Sequence, residues 1–393
     1  MDNIDELKAY WASWANGNIN SVERIIQFCP NFSAFEFTQL PANTHKEGSL
    51  AQHTILTCHA ANELIKSIPS KHHKIFRYAA LLHDIGKPHC ALEVAPKVYA
   101  FPNSNKVSSP YASIVLDQYS SVNIQEREHI VSLIQNIHMP SLFIKKQLTE
   151  KDLIKLSLEV DIEMLYHLVK ANYMGRIEPN LRKTLENLEI FKNWYVQKHL
   201  WNKKAWEGAL NESKFKHFGK HSSTAKSAID WFYLTSDGQN SNPQVEYRTR
   251  ARTWQWGTLY ITVGPPGAGK LEWIKDNYSL LPIVSPKQIA RSLGGLSDNK
   301  QEALNIACKS IEEYLKHGKK VVYHDTNLAF KERKHLIDIG RRYGAYIAIL
   351  FFGTRYQQCL SRLNKRTDIE DKEQYLDDYY MMFDYVSEYE YDK

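Results

Sequence analysis

The residue run with the most chemistry in it is Gly264-Pro265-Pro266-Gly267-Ala268-Gly269-Lys270. Its spacing is G-x-x-x-x-G-K. Glycines so placed let successive backbone N–H groups turn toward one anion, and a helix starting at the lysine adds the positive end of its dipole. The lysine neutralises the outer phosphates of a nucleoside triphosphate. Gly264, Gly267, Ala268, Gly269 and Lys270 are therefore the expected phosphate contacts, with Leu271 beside them. A Ser or Thr hydroxyl after the lysine usually holds Mg²⁺. Leu271 cannot, which disfavours metal-assisted transfer but not phosphate binding. Further on, Asp325-Thr326-Asn327 follows one apolar run, and Arg333 lies six residues after Asn327. Arg362 and Arg366 follow the next apolar run. Arginines so placed close over a transferring phosphoryl group, so all three join the candidate nucleotide-binding set. A lone pair of arginines is more often a solvated helix face; the order of all four elements favours the phosphate reading.

A second cluster lies far upstream. Leu81-Leu82-His83-Asp84-Ile85-Gly86-Lys87-Pro88 closes an apolar segment. Imidazole and carboxylate at a helix end can reach one cation together. A His-Asp pair alone is more often structural, and the Asp-Ile-Gly-Lys-Pro extension favours chemistry. His53 one helix upstream and His138 downstream supply further ligands, as when separate helices build a metal core.

Two resemblances follow from these residues. The C-terminal run is similar to the polynucleotide 5′-kinase branch of P-loop phosphotransferases, which carry an S-x-D-x-x-R element, a D-x-T-N element and an arginine lid. The resemblance implies a general base at Lys287 and an acceptor clamp at Ala290, neither of which suits the role. A lysine is cationic at neutral pH and takes no hydroxyl proton readily. The N-terminal run resembles the HD superfamily of metal-dependent phosphohydrolases. That resemblance implies His53, His83, Asp84, His138 and Asn172 as metal ligands, and His83, Asp84 and Lys87 as catalytic, with Lys87 steadying a phosphate. Ser104 and Asn172 stand where the family has His and Asp, so one weak Mg²⁺ or Mn²⁺ is expected rather than two metals. Both units in this order resemble bacterial HD-domain–polynucleotide-kinase fusions, which heal broken RNA ends.

The elements that must position these residues are readable in outline. Apolar residues recur at helical spacing over 49–65, 74–82, 125–137 and 150–172, which predicts an all-α domain over 1–195. Strand-length apolar runs at 258–263, 319–323 and 346–352 alternate with helical stretches at 301–316 and 331–343. That alternation predicts a P-loop α/β domain with a parallel sheet over 257–393. Residues 196–256 read as a basic and aromatic connector, in which Tyr247 to Trp254 could stack on a nucleic-acid strand or simply pack as linker.

Composition sets the outer bounds. A chain of 393 residues is too long for one compact core, so two domains and a connector are expected. The acidic opening segment and the lack of a long apolar run predict neither a secretory signal nor a membrane span. Five scattered cysteines suggest no disulfide framework and a reducing cytoplasm. A net charge of +6 permits a polyanionic partner without requiring one.

The expected function is RNA end repair, combining 2′/3′-phosphatase-like and 5′-hydroxyl kinase-like units. ATP or another NTP is the expected cofactor beside the single metal, with nucleotide binding kept and kinase catalysis weak or lost. RNA ends, an RNA ligase or an active paralogue are the expected partners. The alternative is a non-catalytic scaffold or sensor that binds nucleotide, RNA ends or a partner subunit. A third reading is a phosphohydrolase of small nucleotides regulated at the P-loop.

Overall fold

The computed structural model describes residues 4–42, 44–95, 98–201, 257–294, 299–387 and 390–392. The connector expected over 196–256, including Tyr247 to Trp254, lies outside the described residues from position 202 onward. The chain divides into two compact units, Met1–Asn211 and Glu212–Lys393.

The first unit is helical. In chain order it contains α1 (Ile4–Ala15), α2 (Asn20–Phe28), α3 (Leu50–Leu64), α4 (His73–Leu82), α5 (Ser104–Tyr119), α6 (Ile124–Gln135), α7 (Met139–Ile144), α8 (Glu150–Glu159), α9 (Ile162–Met174) and α10 (Leu181–Gln197). Every residue of α4 from Ile75 to Leu82 is buried. A helix buried on all sides over this stretch belongs in the middle of a bundle, and α4 packs on α1, α3, α6 and α9. The pair His83-Asp84 follows its last residue and is thereby delivered into the interior. Trp11 of α1 stacks on Tyr119 of α5 at 5.8 Å between ring centroids, joining two helices distant in sequence.

Local capping sets where helices begin. The Ser49 side chain accepts the Gln52 N–H at the head of α3, and Asn123 and Glu126 form a reciprocal box at α6. The helical pattern over 150–172 proves to be two helices. Val160 turns extended, and the Asp161 side chain accepts the Met164 N–H at 2.9 Å to start α9. A short antiparallel hairpin, β1 (Leu92–Ala95) with β2 (Val98–Ala100), escaped sequence reading. Leu92 and Val94 are both more than half exposed, so the hairpin has no buried face to impose an alternating pattern.

The second unit is α/β. Its strands are β3 (Thr258–Val263), β4 (Ile283–Val284), β5 (Lys320–Tyr323) and β6 (Tyr346–Phe351), all parallel, in the order β4-β5-β3-β6. Its helices are α11 (Lys270–Asn277), α12 (Pro286–Ser292), α13 (Lys300–Lys316), α14 (Phe330–Arg342), α15 (Tyr356–Leu363) and α16 (Lys372–Met381). The central strand β3 is flanked by β5 on one side and β6 on the other. Its C-terminal end is therefore a switch point, where an open α/β sheet leaves a crevice for ligand.

Among the described residues, no helix is long and apolar enough to cross a membrane.

Candidate functional sites

In the second unit, β3 runs directly into the glycine-rich turn. Gly267 and Gly269 have φ of +78° and +85°, a conformation that side chains disfavour. A Cβ at Gly267 would stand 2.6 Å from the Cys359 carbonyl oxygen. The turn therefore needs glycine both for its conformation and for its closeness to α15. Lys270 opens α11, and its Nζ donates to the carbonyls of Gly264 at 2.7 Å and Pro265 at 2.8 Å. Burial lowers the Lys270 pKa to about 8, against the pull of Asp325.

Gly267, Ala268, Gly269, Lys270 and Leu271 line a cavity of about 870 Å³ together with Arg362 and Arg366. Arg362 donates to the Gly267 carbonyl at 2.9 Å, and Arg366 is paired with Asp368. Gly264 stands at the end of β3, where a Cβ would lie 2.9 Å from Phe352.

Arg333 is placed differently from its sequence reading. It does not line this cavity. It is fully buried, with Nε 2.6 Å from Glu390 Oε2 and Nη1 2.6 Å from the Leu328 carbonyl. Its Nη2 also donates to the carbonyls of Asp384 and Tyr385 at 3.0 Å. A guanidinium spent on these acceptors has no reach to a nucleotide; Arg333 fastens the C-terminal segment to α14.

Sequence reading missed the weight of Asp325. Its backbone is tied to β3 because Thr262 Oγ1 donates to the Asp325 carbonyl at 2.7 Å. Asn327, in a left-handed conformation with φ of 48°, donates to the Thr262 carbonyl at 2.8 Å. The Asp-Thr-Asn run thus locks the end of β5 onto β3 and sets Asp325 beside Lys270. A second cavity of about 580 Å³ adjoins the first, and the two share Lys287, Asp325, Thr326, Tyr375 and Tyr379. Asp325 is the carboxylate of that shared wall.

In the helical unit, His53 of α3 meets His83 and Asp84 after α4. His53 Nε2 is 3.3 Å from His83 Nε2, and Asp84 Oδ2 is 3.0 Å from His83 Nε2 and 3.7 Å from His53 Nε2. Ligand atoms about 2.1 Å from one cation lie about 3.0 to 3.4 Å apart at right-angled or tetrahedral geometry, which these three spacings approach. The proton placements agree. His83 Nδ1 donates to the Ala80 carbonyl at 2.8 Å, which leaves Nε2 with its lone pair.

His53 Nε2 and His83 Nε2 face each other at 3.3 Å, a spacing that a cation shared between two lone pairs would also satisfy. Asp84 Oδ2 is buried and, despite its close neighbours, receives no contact in hydrogen-bond geometry. Lys87 Nζ lies 2.6 Å from the same oxygen as an ion pair. Burial pushes the Asp84 carboxyl up, but the cationic surroundings, with the Lys87 ammonium on the same oxygen, hold it well below the usual carboxylate range and so ionised. Burial drives His53 down to about 3, so its ring is neutral, as a ligand must be. The donor set fits one divalent cation.

His138 and Asn172 do not complete that set. His138 Nε2 pairs with Ser104 Oγ at 3.2 Å, outside the group whose ligand atoms lie within 4.8 Å of one another. Asn172 Oδ1 accepts from Arg176 Nε at 3.2 Å and Nη2 at 2.9 Å. A carbonyl engaged by a guanidinium is not offered to a cation, and the guanidinium itself repels one. Arg176 further lies over the Tyr173 ring at 4.6 Å.

The sequence reading also missed Glu47 and His45, which precede α3 in a loop without periodicity. Glu47 Oε1 lies 3.0 Å from His53 Nδ1 and 2.6 Å from His45 Nδ1. Two glycines hold these elements together. A Cβ on Gly86 would meet the Ser108 backbone N at 2.4 Å, and one on Gly175 would meet Thr57 Oγ1 at 2.3 Å.

The glycine turn, its lysine and the switch-point crevice define the second unit as a P-loop nucleotide-binding domain. Residues 259–380 match the family described as an AAA domain, whose P-loop is kinase-like. No curated protein matches the chain.

Proposed function

We propose that this chain processes RNA ends, with a one-metal phosphohydrolase in the helical unit and an NTP-dependent unit at the P-loop. The observation that carries the reading is the convergence of His53 Nε2, His83 Nε2 and Asp84 Oδ2 within 3.7 Å of one another. A divalent cation held there supplies a Lewis acid for phosphoester hydrolysis. Lys87, on the same carboxylate oxygen, stands ready to neutralise a phosphate oxygen. Arg176 contributes fixed positive charge at the other side of the site, where His138 and His45 both feel its field.

In the second unit the bound nucleotide is ATP or another NTP. Its phosphates displace the two carbonyls from Lys270 Nζ. An acceptor hydroxyl would enter the adjoining cavity, with Asp325 on the shared wall as the group able to take its proton. Lys287 at the same wall cannot do so while charged. Transfer is therefore expected to be slow relative to binding.

A second reading, a nucleotide-binding scaffold without transfer, is favoured by Leu271, which offers no hydroxyl to Mg²⁺ at the head of α11.

The test is an end-labelled RNA assay with 2′-phosphate, 3′-phosphate and 5′-hydroxyl ends and added Mn²⁺ or Mg²⁺. Release of terminal phosphate that Asp84→Ala abolishes is the expected result. Release unaffected by that substitution, or none with any metal, rejects the phosphohydrolase reading. Labelling of the 5′ end that Asp325→Asn removes would favour transfer over the scaffold.

A further inference from the structure

We propose that Glu47 is the positioning residue that makes His53 a metal ligand, by fixing which ring nitrogen carries the proton. The inference rests on the one-cation reading of His53, His83 and Asp84. A neutral imidazole has one N–H and one lone pair. His53 turns Nε2 toward His83 and Asp84, and turns Nδ1 toward Glu47 Oε1 at 3.0 Å and the Gly175 carbonyl at 3.3 Å. Both of those oxygens are acceptors, so the proton belongs on Nδ1 and the lone pair on Nε2 faces the cation.

Glu47 is itself held in place. Its Oε2 accepts the Ile177 N–H at 2.8 Å, and its Oε1 also receives His45 Nδ1 at 2.6 Å. The Glu47 side chain has no exposure, so water is not at hand to replace it. The two oxygens thus do different work: Oε2 holds the chain after α9, and Oε1 sets the two imidazoles.

That division dictates what an amide would do. In Glu47→Gln the carbonyl oxygen must face the Ile177 N–H, which leaves the NH₂ group facing His53 and His45. A donor there removes the nearer acceptor, leaves only the Gly175 carbonyl at 3.3 Å for an Nδ1 proton, and favours His53 accepting at Nδ1 with its proton on Nε2, aimed at the cation. In Glu47→Ala the constraint is lost but no wrong tautomer is imposed. Metal affinity and folding should therefore respond in opposite orders. Glutamine preserves packing and damages the metal site most, whereas alanine damages packing most.

The experiment is calorimetric titration of MnCl₂ into the metal-stripped full chain, with thermal unfolding of the metal-free proteins alongside. Wild type is expected to bind Mn²⁺ at one site. Glu47→Gln should weaken that site by about 10- to 100-fold, the usual range for losing such a partner. Glu47→Ala should weaken it less, and Glu47→Asp, which keeps the carboxylate, least. Metal-free unfolding should lie closer to wild type for Glu47→Gln than for Glu47→Ala. Wild-type affinity in Glu47→Gln overturns the assignment, as does an alanine variant that binds more weakly than the glutamine one. A wild-type chain that takes up no Mn²⁺ overturns the one-cation reading, and the assignment of Glu47 with it.

Discussion

At the scale of single residues, Lys270 ties the phosphate cradle to pH. Burial holds its pKa at about 8, so it is charged at neutral pH and loses its proton as the pH rises through 8. A triphosphate favours the charged form. Affinity should therefore fall above pH 8, by up to about tenfold per pH unit. Lys270→Ala should abolish binding near neutrality. Lys270→Arg, which stays charged, should bind without that alkaline loss. Fluorescent-nucleotide titrations between pH 7 and 9.5 check this, and an affinity flat across that range in the wild type would argue against Lys270 as the phosphate contact.

The cradle was legible because its chemistry sits in seven consecutive residues. His53, His83 and Asp84 were legible as residues but not as a closed group. Their distances depend on how α3 packs against the end of α4. Glu47 gave no sign at all, since its meaning lies in partners that the fold brings from α3 and from beyond α9.

At the scale of elements, the sheet and most helices follow from periodicity and capping, and the strand 258–263 coincides with β3. The break between α8 and α9 was hidden because apolar residues continue across it, and the extended Val160 and the Asp161 cap make it. The role of Arg333 was hidden for a different reason. Its partner Glu390 lies 57 residues on, a separation that no local pattern encodes. The Arg333–Glu390 pair is fully buried. Removing one member leaves an uncompensated charge in the interior, which costs about 3–5 kcal/mol. Glu390→Ala should destabilise the second unit by that order in denaturant unfolding, and loss of nucleotide binding should follow unfolding rather than precede it. A variant as stable as wild type would show that the buried pair contributes little. Gly86 is the matching feature of the helical unit, where α5 lies too close to the turn after His83 for any side chain.

At the scale of the whole molecule, each site is built from one unit's own residues. Acid should affect both units. Burial lowers His167 in the first unit and His324 in the second to about 4, against 6.5 for a free imidazole. Each folded unit therefore binds fewer protons than its unfolded chain between those values. Stability is full above pH 6.5 and is lost progressively as the pH falls toward 4. Thermal unfolding across pH 4 to 7 should show this decline, and a midpoint that holds or rises on acidification would contradict it.

We propose a single metal on His53, His83 and Asp84: Arg176 holds the Asn172 carbonyl, and the neighbouring group His45, Glu47 and His53 shares its His53 with that site and is closed by its own hydrogen bonds. The most direct measurement is the metal content of the full chain after saturation with Mn²⁺ and removal of excess ion, by elemental analysis. One equivalent is predicted for the wild type and for Lys270→Ala, and none for Asp84→Ala. Two equivalents in the wild type, or one retained in Asp84→Ala, would contradict the account.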